Sequence, residues 1–219
     1  FEPEETVHPF TVTVRIKGTE GQVVCLTQAS GTQQATVRVN ADGTITYTAP
    51  TGSTITSSTT INDDKWHNVT LTSYYAQRRT ILYVDRTKAG EVGERLSKIE
   101  LVAVGDENNS REVSELSFWR SGMTPEEISA VCGGRMLKSS LEIYAPLGGE
   151  DDMDNLAQST NKLYYGKATL VAAPFPDNDG RLSSSIEEMS KGLYSLAGQR
   201  LSHPAKGVNI LDGKKIVNN

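Results

Sequence analysis

The chain has few cysteines, few histidines, few aromatics and no long apolar run. Each scarcity excludes something. A helix that crosses a bilayer needs about 18 or more consecutive apolar residues, and no such stretch is present. Cys25 and Cys132 are too few and too far apart for a disulfide framework, and neither belongs to a C-x-x-C pair. They read as two small buried hydrophobes, with a disulfide between them as the alternative. His8, His67 and His203 are scattered, with no acid or nucleophile at a recognisable spacing, so a catalytic triad is not expected. Basic excess is missing too: 22 Lys and Arg face 27 Asp and Glu, for a net charge of −5. Without basic clusters alternating with aromatics, nucleic acid is not an expected partner.

What is present is strand character. At 219 residues the chain can bury a real core without metal or disulfide staples. From Phe10, Thr11-Val12-Thr13-Val14-Arg15-Ile16-Lys17 alternates polar and β-branched residues, which places Val12, Val14 and Ile16 on one face. The same period returns in Thr36 to Val39, Thr44 to Tyr47 and Asn68 to Thr72, and Asp42-Gly43 is a hairpin turn between two of these runs. Short strands at this spacing predict a β-sandwich.

One helix interrupts them. Thr124-Pro125-Glu126-Glu127 supplies an N-cap threonine, a proline at the first helical position and a glutamate three residues after the cap. Ile128 and Val131 form its buried stripe, and Gly133-Gly134 stops it. Strand character resumes at Leu141 to Tyr144 and from Leu163 to Val171. After Phe175 the composition changes to Asp177-Asn178-Asp179-Gly180 and Ser183-Ser184-Ser185, a linker over 176–190. The remaining segment, 191–219, contains two strand-like runs, the second turning at Asp212-Gly213. It is too short for a core of its own and is expected to dock or to stay mobile.

These residues carry a resemblance. Asp63-Asp64-Lys65-Trp66-His67-Asn68-Val69-Thr70-Leu71-Thr72, followed by Leu82-Tyr83-Val84-Asp85, resembles the central D-G-K-W-H-H-V-A-V-T … L-Y-V-D-G hairpin of laminin G-like, concanavalin A-like jelly-roll domains. Phe10 to Gly18 is similar to that family's early strand. Val113 to Trp119 with Met123 to Ile128 is similar to its closing strand and helix. The resemblance covers Phe10 to Gly134 and implies an all-β, two-sheet jelly-roll sandwich with one short helix. Arg86 replaces the glycine that follows the hairpin aspartate, so that turn must be built differently, and the usual tryptophan of the early strand is Arg15 or Ile16.

Leu141 to Leu147, with Asn155 to Ser159 beyond it, resembles the piece that usually opens such a domain. Here it comes last, so the sandwich is expected to be completed by its final strands in permuted order and to span 1–175. The tail has a likeness of its own. Gly192 to Arg200 and Lys206 to Lys215 resemble C-terminal tails of secreted proteins from Gram-negative gut anaerobes, which implies a sorting or docking role. Phe1 opens the chain in mid-sequence style, so a leader lying upstream or already removed is expected, and with it an extracytoplasmic location.

Glycan-cleaving jelly rolls need two carboxylates flanking a sugar bond, and the E-x-D-x-x-E string of the β-glucanases of this shape is missing. Asp152-Met153-Asp154 lacks a third carboxylate, and the spacing of Glu112 and Glu115 assigns them to opposite strand faces. No catalytic residue is assigned. The acidic run containing Asp151, Asp152 and Asp154 could hold calcium, a hard cation that takes oxygen ligands, or be a solvated loop. Sugar binding uses aromatic faces and planar hydrogen-bonding groups, and the connection carrying Tyr74, Tyr75, Gln77 and Arg79 offers both. An ordinary polar hairpin is the alternative there. Trp66 and Trp119 fit core positions.

The expectation is a non-catalytic binding or accessory module of a larger secreted or surface protein, with glycan as the ligand class and a catalytic domain of the same parent chain as a partner. A structural spacer or protein-interaction domain is the rival reading, and a glycoside hydrolase the third.

Overall fold

The computed structural model describes residues 9–28, 34–96, 99–105, 111–147, 155–159, 161 and 163, and the backbone of four short strands beyond them. These fall into two compact units. The first, Phe1–Cys132 with Met136–Phe175, is a sandwich of two antiparallel sheets. In chain order its elements are β1 (Phe10–Gly18), β2 (Gly21–Gln28), β3 (Gln34–Val39), β4 (Thr44–Thr48), β5 (Thr54–Thr60), β6 (His67–Tyr74), β7 (Arg79–Val84), β8 (Thr87–Val92), β9 (Ile99–Val104), β10 (Arg111–Trp119), α1 (Pro125–Cys132) and β11 (Leu141–Ala145). One sheet has the order β11-β10-β1-β6-β7-β8 and the other β5-β4-β3-β2-β9. This is the expected two-sheet jelly roll, open rather than closed into a barrel.

Alternation builds the core. Val12, Val14 and Ile16 of β1 point inward with Leu71, Leu82, Phe118 and Ile143, and meet Val37, Ile45 and Tyr47 of the facing sheet, all of them buried. The hairpin between β3 and β4 is closed where Asp42-Gly43 predicts. Gly43 takes a φ of 83°, and Asp42 Oδ1 accepts from the Thr44 amide at 2.9 Å.

A second apolar cluster lies on the outer face of the larger sheet. Trp119 pairs with Thr11 and Ile81 with Thr72, one residue out of phase with the inward Val12 and Leu71. Trp119, Ile81 and Tyr83 are therefore packed beneath Met123, Ile128 and Cys132 of the helical segment. The indole of Trp119 donates to the Leu137 carbonyl at 2.7 Å. Trp119 is thus buried as expected, but under α1 rather than between the sheets. Trp66 differs: it is half-buried, outside both clusters, with the Arg15 guanidinium 5.4 Å from its ring centre. Arg15, one of the two positions expected to replace the early-strand tryptophan, points outward from β1 yet is only 5% exposed.

The β7–β8 turn shows how the missing glycine is replaced. Asp85 itself takes the left-handed conformation, with a φ of 55°. Its carboxylate accepts from the Asn68 amide at 3.0 Å, and its own amide donates to the Asn68 carbonyl at 2.7 Å. These local bonds offset the steric cost of a side chain there.

The Leu141 segment enters the sheet as β11, antiparallel to β10. Asn155 then extends that edge. Its Oδ1 accepts from the Tyr144 amide at 3.0 Å, its Nδ2 donates to the Glu142 carbonyl at 2.8 Å, and the Leu156 amide donates to the Tyr144 carbonyl at 2.8 Å. The run expected from Leu163 to Val171 lies, beyond Leu163, outside the described residues. Cys25 and Cys132 are both buried, and neither is in a disulfide.

The second unit contains β12 (Leu193–Ser195), β13 (Arg200–Leu201), β14 (Gly207–Leu211) and β15 (Lys214–Asn218). They form an antiparallel sheet in the order β13-β12-β14-β15, and β14 and β15 flank the expected Asp212-Gly213 turn, which is not among the described residues.

Candidate functional site

The connection from β6 to β7 is a four-residue turn, Tyr75 to Arg78, that follows the last ladder pair, Tyr74 with Arg79. The Arg78 amide closes it on the Tyr75 carbonyl at 3.1 Å, with Arg78 at a φ of 53°. Tyr74 leans along the outer face of the sheet toward the helical segment. Its hydroxyl donates to the Met123 carbonyl, and its ring lies where Gly122 leaves room, since a Cβ on Gly122 would fall 2.6 Å from a ring carbon. Burial raises the pKa of this hydroxyl. Tyr74 therefore ties the hairpin to the chain entering α1.

Tyr75, Gln77 and Arg78 form the outward part of the turn, Tyr75 half-buried and the other two exposed. The Arg79 guanidinium lies 5.0 Å from the centre of the Tyr74 ring, and its Nη1 is 3.9 Å from Glu91 Oε2. That oxygen also receives Lys88 Nζ at 2.6 Å. The sequence reading brings Tyr74, Tyr75, Gln77 and Arg79 to one turn because they are neighbours in the chain. It misses Arg95, which arrives from 20 residues away: its guanidinium sits 4.6 Å from the Tyr75 ring centre and its Nε donates to the Tyr75 carbonyl at 3.2 Å.

Arg95 is placed by its neighbours. Glu94 and Leu96 turn into the core, 6% and 4% exposed, so Arg95 between them faces out. Glu94 accepts from the hydroxyl of Tyr47, which is fully buried on β4. Burial raises the pKa of both groups. The only sequence trace of this arrangement is an in-out-in alternation across Glu94-Arg95-Leu96.

Other candidates fall elsewhere. Asp151, Asp152 and Asp154 lie outside the described residues, and among the described residues no group of three or more His, Cys, Asp or Glu could hold a metal. His67 is bonded on both ring nitrogens, to Asp63 Oδ1 at 2.8 Å and Asp85 Oδ2 at 3.0 Å, which makes it a tie across the β6–β7 hairpin as its place beside Trp66 suggests. Glu112 lies opposite Lys17, while Glu115 occupies a bulge of β10 at a φ of 48°. The smaller sheet turns Thr36, Arg38, Thr46, Thr48, Thr54 and Thr56 outward. Tyr47 is the one aromatic in its strands, and it points inward.

No family model and no curated protein sequence matches this chain. Solved structures do match. A candidate carbohydrate-binding protein from Bacteroides ovatus superposes with a TM-score of 0.53 at 14% identity, over 68% of this chain and 48% of its own. A heptameric SAP-like pentraxin from Limulus polyphemus matches at a TM-score of 0.46 and 20% identity, over 58% of this chain and 70% of that one. Domains LG4-5 of the mouse laminin α1 chain match at 0.43 and 12%, over 57% and 40%. At these identities the likeness is one of fold. The two antiparallel sheets and the helix packed on the larger one make this chain a two-sheet jelly-roll sandwich, concanavalin A-like in fold.

Proposed function

We propose that the chain is a non-catalytic carbohydrate-binding module of a larger secreted or surface protein, acting outside the cytoplasm as accessory to a catalytic domain of the same parent. One observation carries the reading. Tyr74, Tyr75, Gln77, Arg78 and Arg79 share one turn and its flanks, with the Arg79 guanidinium 5.0 Å from the Tyr74 ring centre and the Arg95 guanidinium 4.6 Å from that of Tyr75. A pyranose offers an apolar C–H face to an aromatic ring and hydroxyls in its plane to groups of this kind. Among the other described aromatics, Phe10, Tyr47, Tyr83, Phe118 and Trp119 are buried, while Trp66 and Tyr144 are half-buried. The Bacteroides ovatus neighbour, itself a candidate carbohydrate-binding protein, supports this reading.

A ring contact contributes on the order of 1 kcal/mol, so one such turn binds weakly. Glycan-array screening followed by titration tests it. Tyr75→Ala should weaken binding on the order of tenfold without moving the melting temperature much. Tyr74→Ala is the poorer probe, because it also removes the bond to Met123. Binding that survives Tyr75→Ala and Gln77→Ala together would move the site off this turn.

The second reading, a spacer or protein-interaction domain, is favoured by the outward threonines of β3, β4 and β5. Thr46 Oγ1 lies 2.9 Å from Thr56 Oγ1 and accepts from Asn40 Nδ2 at 2.9 Å, so these hydroxyls satisfy one another. A chain that retains no glycan at all supports this second reading.

A further inference from the structure

We infer that the glycan held at the β6–β7 turn is anionic, a polysaccharide bearing carboxylate or sulfate groups, and that Arg78, Arg79 and Arg95 are its charge partners. The inference rests on the carbohydrate-binding reading above and names the class of its ligand. Its basis is the local charge. Arg78 and Arg79 are consecutive in the turn, and Arg95 is fastened to the same turn through the Tyr75 carbonyl and ring. Among the described residues the nearby acids are already engaged, so they offset these charges only in part. Glu91 is shared between Lys88 and Arg79. Glu94 points into the core, bonded to Tyr47. Glu127, on the Tyr74 side, accepts from the Thr124 amide at 2.8 Å.

The rest of the body has the opposite sign. Up to Phe175 the chain holds 16 basic and 22 acidic residues, so a polyanion is repelled over most of the surface and attracted where guanidiniums gather. Like charges crowded on one turn repel each other, and an anion between them relieves that repulsion. The guanidinium is also the side chain whose fork matches a planar carboxylate or a sulfate with two parallel hydrogen bonds. Aromatic rings among these cations suit a sugar that carries the anion better than a bare ion.

The experiment uses the whole chain and four polymers: polygalacturonate for the carboxylate, chondroitin sulfate for the sulfate, a neutral galactan, and polyglutamate as an acidic peptide without sugar. Affinity is measured by titration at low and high salt, with Arg78→Gln alone, Arg78→Gln with Arg95→Gln, and melting temperatures for each. Arg78→Gln is the safeguard against misfolding, since the residue is exposed. The inference expects one of the anionic glycans to bind, the single variant to weaken it severalfold, the double variant to weaken it at least tenfold, and high salt to do the same. The glycan retained tells carboxylate from sulfate. Galactan binding as well as the anionic glycans and indifferent to the arginines overturns the inference and leaves the carbohydrate reading standing. Anionic binding untouched by both variants overturns the assignment of these arginines. Polyglutamate binding as tightly as the glycans, or no polymer binding, overturns both readings.

Discussion

His67 Nδ1 lies 3.0 Å from Asp85 Oδ2, so an imidazole at the start of β6 bonds to the aspartate that closes β7 and makes the following turn. Its other nitrogen lies 2.8 Å from Asp63 Oδ1. Only the protonated ring can donate from both nitrogens. Burial by itself lowers the pKa of His67, but the hydrogen bonds and charges of the two aspartates outweigh it and the net shift is upward. A group whose folded value is raised stabilises fully below its unfolded pKa of about 6.5 and loses that contribution as pH rises through the folded value.

The unfolding free energy is therefore expected to decline from about pH 6 into mildly alkaline solution, and His67→Gln should flatten that slope. The same pairing lowers the pKa of Asp63 well below the ordinary carboxylate range, chiefly through its hydrogen bond to His67. That part of the tie is lost only in strong acid. Urea unfolding at several pH values checks this, and an unchanged slope in the variant would assign the pH dependence to other groups.

Thr124 and Glu127 form a reciprocal cap: Glu127 N lies 3.3 Å from Thr124 Oγ1, and Thr124 N lies 2.8 Å from Glu127 Oε2. Thr124→Ala should cost about 1 kcal/mol of stability, the usual size for an N-cap hydroxyl. Because α1 covers Trp119 and Ile81, its fraying would also alter the tryptophan emission. Denaturant unfolding with the helix intact and no loss of stability would overturn the cap.

The cap was legible because it is local: four consecutive residues state it. So were β1, β3, β4, β6 and the Asp42-Gly43 turn, each of which writes its period or its glycine into a few positions, whereas β7, without alternation, was legible only through the resemblance of Leu82 to Asp85. β5 was not singled out. Its sequence, Thr-Ile-Thr-Ser-Ser-Thr-Thr, has one large apolar residue, and half of its inward face is Ser57, whose hydroxyl accepts from the Ile45 amide. The place of Trp119 could not be read from alternation, which separates two faces without saying that α1 makes the outer one as dry as the inner. The candidate turn was legible for its own residues and not for Arg95, because only the fold joins positions 75 and 95.

Gly90 on β8 offers a test of how the sheets close against each other. A Cβ there would fall 2.7 Å from Ile55 Cγ2 on β5. In a strand, replacing glycine by alanine ordinarily helps by about 0.5–1 kcal/mol through backbone entropy. Here overpacking against a residue only 5% exposed should win, with Gly90→Ala costing about 1–3 kcal/mol. A double-mutant cycle with Ile55→Ala should show favourable coupling of about 1 kcal/mol, since the smaller side chain makes room for the methyl. Additive losses would mean that Ile55 is not what resists it.

The last expectation concerns where the domain ends. Truncation before Asp177 should leave the sandwich folded with a melting temperature within a few degrees of the full chain. The composition of 176–190 is that of a linker, across which few contacts are expected, and the four strands beyond it form a sheet of their own. Truncation before Ser139 should instead prevent folding. It removes β11, which leaves β10 as an unpaired edge, empties the positions of Ile143 and Ala145 in the core, and takes away the Leu137-adjacent strand whose Leu141 packs against the Trp119 cluster. Losing one buried branched side chain of this size costs about 2–5 kcal/mol, and a whole strand exceeds the 5–15 kcal/mol by which a domain is stable. Circular dichroism and thermal melting of the two truncated proteins decide the matter. A large drop on the first cut would join the tail to the domain, and cooperative unfolding after the second would show that the strands up to Trp119 suffice.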